Sequence, residues 1–224
     1  MSRVKIALVT VAAAAIVLTA GSWISGADRP ATATAAAGRL PKPRTKGGMP
    51  LMEALSKRRS SRQFAARKLP DQVLSDLLWA AFGVNRPDGH RTAPSAVNWQ
   101  EIDVYVAMAD GLWLFDAKAN DIKLVLKEDI RALTGTQRFV RDAPVNLIFV
   151  ADFARMSRRG SEADKVFYSA TDTGFISQNV YLYCASEGLA TVVRGLVDRP
   201  ALAKAMGLRK DQRVILAQSV GYAR

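Results

Sequence analysis

Beyond residue 49 the apolar positions recur first at helical spacing, then in strand alternation, then in both by turns. Pro50-Leu51-Met52-Glu53-Ala54-Leu55 has helical spacing and runs straight into a basic cluster, which therefore falls in the turn at the helix end. Pro70-Asp71 opens a second helix with Val73, Leu74, Leu77, Leu78 and Phe82 on one face, and Gly83 closes it. A polar loop from Asn85 to Arg91 follows. Ile102 to Met108 then alternates as a strand, with two more short strands at Leu112 to Ala117 and Ile122 to Leu126. This succession predicts an antiparallel meander or hairpin.

Leu133 to Arg141 reads as a helix, and Pro144 introduces Val145 to Ala151, an apolar run suited to a central strand. Ala163 to Glu187 is the longest helical pattern, with Phe167, Ala170, Gly174, Phe175, Val180 and Cys184 near one side, and Gly188 ends it. Thr191 to Val197 is extended, Pro200 opens a short helix to Met206, and Val214 to Tyr222 is the last strand. Meander strands mixed with helices predict an α+β fold rather than a doubly wound parallel sheet.

The N-terminal pattern differs. Arg3 and Lys5 precede an uncharged run from Ile6 to Ala20, and small residues dominate from Gly21 to Ala27. That order is expected of a secretory signal peptide over residues 1–27, or of an uncleaved membrane anchor through residues 6–27. Either reading puts the folded part outside the cytoplasm, periplasmic or extracellular. Residues 28–48, rich in Ala and Thr and then in Pro and Gly, are expected to form a flexible linker. The folded domain is expected over residues 49–224.

Composition narrows the chemistry. The 224 residues are 49% hydrophobic, with mean hydropathy +0.02, net charge +12 and pI about 10.2. The cations are dispersed and no aromatic-interleaved basic motif occurs, so the charge indicates anionic small ligands and not nucleic acid. Cys184 is the only cysteine and His90 the only histidine, which removes an intrachain disulfide and leaves zinc sites and His-based triads without support. No Rossmann or Walker glycine loop, HExxH or GxSxG is present. A bound cofactor is the expected bearer of any chemistry.

Two stretches remain. Lys57-Arg58-Arg59-Ser60-Ser61-Arg62 puts four cations and two hydroxyls in six residues. Arginine forks match phosphate oxygens, although the same stretch fits a solvated turn. Thr92-Ala93-Pro94-Ser95-Ala96-Val97-Asn98-Trp99-Gln100 is uncharged, and its small residues let a flat ligand approach the main chain.

Taken in order with Asp142-Ala143-Pro144, Ser186-Glu187-Gly188-Leu189-Ala190-Thr191-Val192-Val193-Arg194-Gly195 and Ser219-Val220-Gly221-Tyr222, these stretches resemble the nitroreductase-like FMN-dependent flavoenzymes. Gly83-Val84-Asn85-Arg86 and Leu112-Trp113-Leu114-Phe115-Asp116 resemble most the azoline-peptide dehydrogenase (SagB-type) branch. The resemblance implies an α+β sandwich, its mainly antiparallel sheet flanked by helices, in a homodimer with FMN sites at the interface. It implies that Arg58, Arg59, Ser60 and Arg62 hold the FMN phosphate and ribityl chain, with Arg224 as a late phosphate-binding cation. Pro94, Ser95, Ala96 and Asn98 would line the isoalloxazine, Gln137 the pyrimidine edge, and Val193, Arg194 and Gly195 the approach from the other subunit. The flavin itself would carry the catalysis, with NADH or NADPH as reductant and a small molecule as acceptor. The alternatives are a flavin-binding or structural protein without turnover and a dehydrogenase of peptide heterocycles.

Overall fold

The computed structural model describes residues 39–157 and 160–224. The proposed signal or anchor, and the linker as far as residue 38, lie outside the described residues. The described chain builds one six-stranded sheet: β1 (Ile102–Met108), β2 (Gly111–Asp116), β3 (Asp121–Leu126), β4 (Val145–Asp152), β5 (Leu189–Arg194) and β6 (Gln212–Tyr222). The order is β3-β2-β1-β4-β6-β5, every neighbouring pair antiparallel. β1 to β3 are the expected meander. The α+β fold follows, as the pattern required.

Helices α1 (Leu51–Lys57), α2 (Asp71–Phe82), α3 (Glu162–Ser186) and α4 (Arg199–Ala205) complete the fold. β4 is buried at every position because the sheet is covered on both faces. Val104, Val106, Leu147 and Phe149 point to a core shared with Leu74, Leu77 and Leu78 of α2 and Ile176, Val180 and Cys184 of α3. Their alternate neighbours Tyr105, Ala107, Ile148 and Val150 point the other way, to Leu202 of α4 and Met206. Burial pushes the Cys184 thiol up, so it stays protonated and inert in this core.

Three details depart from the sequence pattern. Residues 131–141 form two single 3₁₀ turns, Arg131–Thr134 and Arg138–Arg141, not one helix. Gly135 between them lies against the Arg194 guanidinium, where a Cβ would collide. On α3, Phe167 and Phe175 do not share a side with Val180 and Cys184: the aromatic pair is 64% and 45% exposed, the other two fully buried. The buried arc instead takes in Ser169, Asp172, Thr173, Ser177 and Tyr181, whose polarity hid it from hydrophobic periodicity.

The third departure concerns the linker. Residues 39–48 are held on the domain, so packed structure begins before Met49. Asp121 accepts from the backbone N–H groups of Arg39 (3.2 Å) and Leu40 (2.9 Å), while the Arg39 guanidinium pairs with Asp110 and covers the Trp113 ring. Buried Asp76 accepts from the Arg44 backbone N–H and binds its guanidinium, both at 2.7 Å. Local composition could not report these long-range partners.

Asp121→Ala should lower stability by about 1–2 kcal/mol in urea unfolding, since two partly buried N–H groups lose their acceptor; an unchanged midpoint would mean the segment contributes nothing. Gly221→Ala should cost about 1–3 kcal/mol, because a Cβ there would stand 2.5 Å from the Pro144 ring between strands that cannot yield.

Candidate active site

The basic cluster leaves α1 as extended chain beside the ends of β5 and β6. Ser61 N–H donates to the Thr191 carbonyl at 2.9 Å, Ala65 N–H to that of Tyr222 at 2.9 Å, and Phe64 bridges Ala223. One side chain organises this flank. The Tyr181 hydroxyl of α3 accepts from the Val193 backbone N–H at 3.0 Å and lies 2.8 Å from the Ser60 hydroxyl. The Arg58 guanidinium stacks over the same ring at 5.3 Å. Arg58, Arg59, Ser61, Tyr181, Gly188 and Thr191 line a hollow of about 530 Å³.

Arg62 and Arg224 face a separate hollow of about 390 Å³, shared with Gln63, Phe64, Phe139 and Asp142. The cluster therefore does not converge on one hollow in a single copy. Among the described residues no carboxylate lies within ion-pair distance of Arg58, Arg59, Arg62 or Arg224, although Asp142 shares the hollow of the last two. Arg67, Arg86, Arg138 and Arg141 are unpaired as well, so what sets the cluster apart is its density. The chain thus leaves the cluster's guanidinium groups free for an anion from outside.

Gly195 lies exposed just beyond β5, and Thr136 N–H donates to the Leu196 carbonyl beside it. This brings Gln137 to the same edge, where its side-chain carbonyl oxygen is buried without a donor. An imide-like N–H of a ligand would satisfy it. Arg194 does not join them. Its guanidinium turns inward to the Thr134 carbonyl (2.6 Å) and hydroxyl (3.3 Å) and to the Asn146 side-chain oxygen (2.9 Å). Burial without a carboxylate pulls its pKa down to about 10. The Arg194 side chain thus supports the β5 end from inside, with its Nε buried and without a partner, while its backbone stays between Val193 and Gly195.

The Pro94–Asn98 loop stands elsewhere. Ser95 Oγ accepts from Gln100 N–H (3.0 Å), Asn98 Oδ1 accepts from the Gln100 side-chain amide (2.9 Å), and Asp172 of α3 accepts from Ala96 N–H (2.9 Å). Val97, Asn98 and Gln100 have φ of 52°, 55° and 48°, and Val97 is 84% exposed. A β-branched residue in the left-handed region costs on the order of 1–3 kcal/mol, so surrounding bonds must hold it there. Asp172 and Tyr181 are nine residues apart on α3, roughly 13.5 Å along the axis and about half a turn around it. One copy thus carries loop and cluster on opposite flanks of α3. Sequence reasoning missed Asp172 and Tyr181, the two residues that hold them; polar residues recurring inside a long helix were the available signal.

The comparisons agree with this fold. The Nitroreductase family model matches residues 55–222. A Methanocaldococcus jannaschii protein with a provisional nitroreductase name is 34% identical over 156 residues, 65% of this chain and 78% of its own. A crystal structure of a provisionally named nitroreductase from Ralstonia eutropha is 45% identical, with TM-score 0.80, covering 84% of this chain and 89% of that one. The NADPH:FMN oxidoreductase of Vibrio harveyi, solved with NAD+, shares the fold at 20% identity and TM-score 0.59, covering 77% of this chain and 68% of that one. With three quarters of its length matched by the family model, from the basic cluster to the last strand, this chain belongs to the nitroreductase family.

Proposed function

We propose that this protein is an FMN-dependent oxidoreductase that moves electron pairs between NADH or NADPH and a small acceptor. The observation that carries the reading is the density of cations at the α1 end, where Arg58, Arg59 and Arg62 stand with Ser60 and Ser61 beside the chain end at Arg224, none of the four arginines holding an ion pair. Their donors suit a phosphate, and the orphaned Gln137 oxygen suits the N–H of a flavin pyrimidine edge. Bound FMN would supply reversible hydride transfer, which this chain's side chains cannot perform.

The chain's own part is binding and orientation. Arg58 and Arg59 offset the phosphate charge, and Ser60, fixed by Tyr181, offers a short donor beside them. The exposed main chain at Gly195 lets a flat ring approach closely. The Pro94–Asn98 loop, on the far flank of α3, fits a site completed by a second copy. The apolar surface supports that dimer: Leu51, Met52 and Leu55 of α1 and Val166, Phe167 and Phe175 of α3 are all between 42% and 75% exposed. The order of residues 1–27 supports export, to the periplasm or beyond, with or without a membrane tether.

The features resembling azoline-peptide dehydrogenases serve the framework: Gly83 caps α2, and Leu112 to Asp116 lie in β2 between two strands. They favour no peptide substrate over a small one.

The purified full-length protein should take up FMN, turn yellow and bleach with NADH or NADPH under anaerobic conditions. Failure to bind FMN on reconstitution would sink the proposal, while binding without bleaching would reduce it to a flavin carrier. Arg58→Ala combined with Arg62→Ala should weaken FMN by about a hundredfold or more, two charged hydrogen bonds being lost. Its far-UV circular dichroism should be unchanged, since neither guanidinium holds an internal ion pair. Unaltered FMN affinity would remove both arginines from the site.

A further inference from the structure

Two carboxyl groups lie beneath the Pro94–Asn98 loop, Glu101 at 0% exposure and Asp172 at 2%. Glu101 lies three residues past Asn98 and directly precedes β1; Asp172 stands on α3. No side-chain N–H or hydroxyl among the described residues meets either oxygen of Glu101, whose only nearby amide is its own backbone N–H. The carboxyl beside it is that of Asp172, which accepts from Ala96 N–H at 2.9 Å, so the only bond open between the two buried acids is one from carboxyl to carboxylate. Two ionised carboxylates can only accept, so this bond exists only with a proton in it. Asp172 has the well-formed amide donor of the pair, Ala96 N–H at 2.9 Å, to steady its charge. Glu101 therefore holds the proton and donates it to Asp172.

We propose that Glu101 and Asp172 are positioning residues: one shared proton ties the start of β1 to α3, holds Ala96, and so keeps the strained loop in its binding geometry. The inference rests on the flavin reading of that loop. The strain at Val97, Asn98 and Gln100 makes the anchor necessary, because an unanchored loop would relax out of the left-handed region. The bond runs from α3 to the backbone at Ala96, inside the stretch that carries Pro94, Ser95 and Asn98.

The charged neighbours are engaged elsewhere, and Arg155 offsets only part of the rise in the Glu101 carboxyl. Arg155, from the 3₁₀ turn after β4, is the cation nearest in effect. Its guanidinium is engaged by Asp103 of β1 (2.5 Å), Asp152 at the end of β4 (3.4 Å) and the Gln100 carbonyl (2.9 Å). Asp152 also binds Arg209 at 2.6 Å. Arg91, before the loop, holds the Gln100 side chain and the Phe82 carbonyl. Residues 94–100 carry no charge.

Burial, and then the nearby Asp172 charge, raise the Glu101 carboxyl from an ordinary value of 4.5 to about 7, and burial raises Asp172 as well. A released loop would let Glu101 ionise at its ordinary value. The anchor is thus at full strength below about pH 4.5, weakens as pH rises, and is lost above about pH 7.

Hydrogen exchange of the Ala96 amide in the FMN-free full-length protein tests this without the cofactor. Its protection factor should fall about tenfold or more between about pH 5 and about pH 8. Glu101→Gln supplies a permanent amide donor to Asp172, so it should keep the protection and flatten the pH profile, a rescue that a merely space-filling role would not give. A flat wild-type profile, or an unchanged slope in Glu101→Gln, overturns the proposal. FMN dissociation constants measured on both proteins should follow the same two profiles. Affinity that ignores pH while protection changes would overturn the positioning role. Absence of FMN binding at every pH would overturn the flavin reading, with the amide profile still deciding the anchor.

Discussion

The rise and twist of one helix govern the candidate site. α3 runs for 25 residues, and its buried arc is edged by Asp172 on one side and Tyr181 on the other. Each spends its polar group on backbone that the helix does not own: Asp172 on Ala96 N–H, Tyr181 on Val193 N–H. Because a packed helix cannot change its 1.5 Å rise or 3.6-residue turn, loop and cluster are held at a fixed distance and a fixed angle. The strip between those edges bears Phe167 and Phe175 in solvent. A partner packed on that strip would find the loop on one margin and the basic cluster on the other.

The same economy explains what was legible in the sequence. Elements whose pattern comes from one buried apolar face were readable, such as α2 and the meander of β1 to β3. So were the cluster and the uncharged loop, because their composition is local. The elements that misled depend on partners far along the chain. Leu133 to Arg141 looks helical until Gly135 must make room for Arg194, a residue some sixty positions later. Residues 39–48 look like a tether until Asp121 and Asp76 bind their backbone.

Arg194 shows how a side chain can turn away from the edge on which its backbone lies. Val193 and Gly195 sit where a ligand could meet main chain, and alternation along β5 turns the residue between them the other way. The interior then takes a cation with only neutral acceptors, Thr134 and Asn146, and burial weakens its hold on its proton. Asn146 is itself bonded to Ser219 at 2.5 Å, so the guanidinium stitches β5 to β4 and β6 at the sheet's edge.

Charge gives the last constraint. The chain has 32 cations and 20 anions, so some cations must go unpaired, and their location carries the information. Pairs form where they brace structure: Asp76 with Arg44 on α2, Asp152 with Arg209, Asp103 with Arg155 under the loop. At the α1 end, by contrast, Arg58 and Arg59 repel each other across a turn that offers them hydroxyls and an aromatic ring but no carboxylate. Neighbouring like charges at a surface repel weakly through water and more strongly as water is excluded. A dianionic phosphate would remove that repulsion, and in doing so would meet donors already held in place by Tyr181.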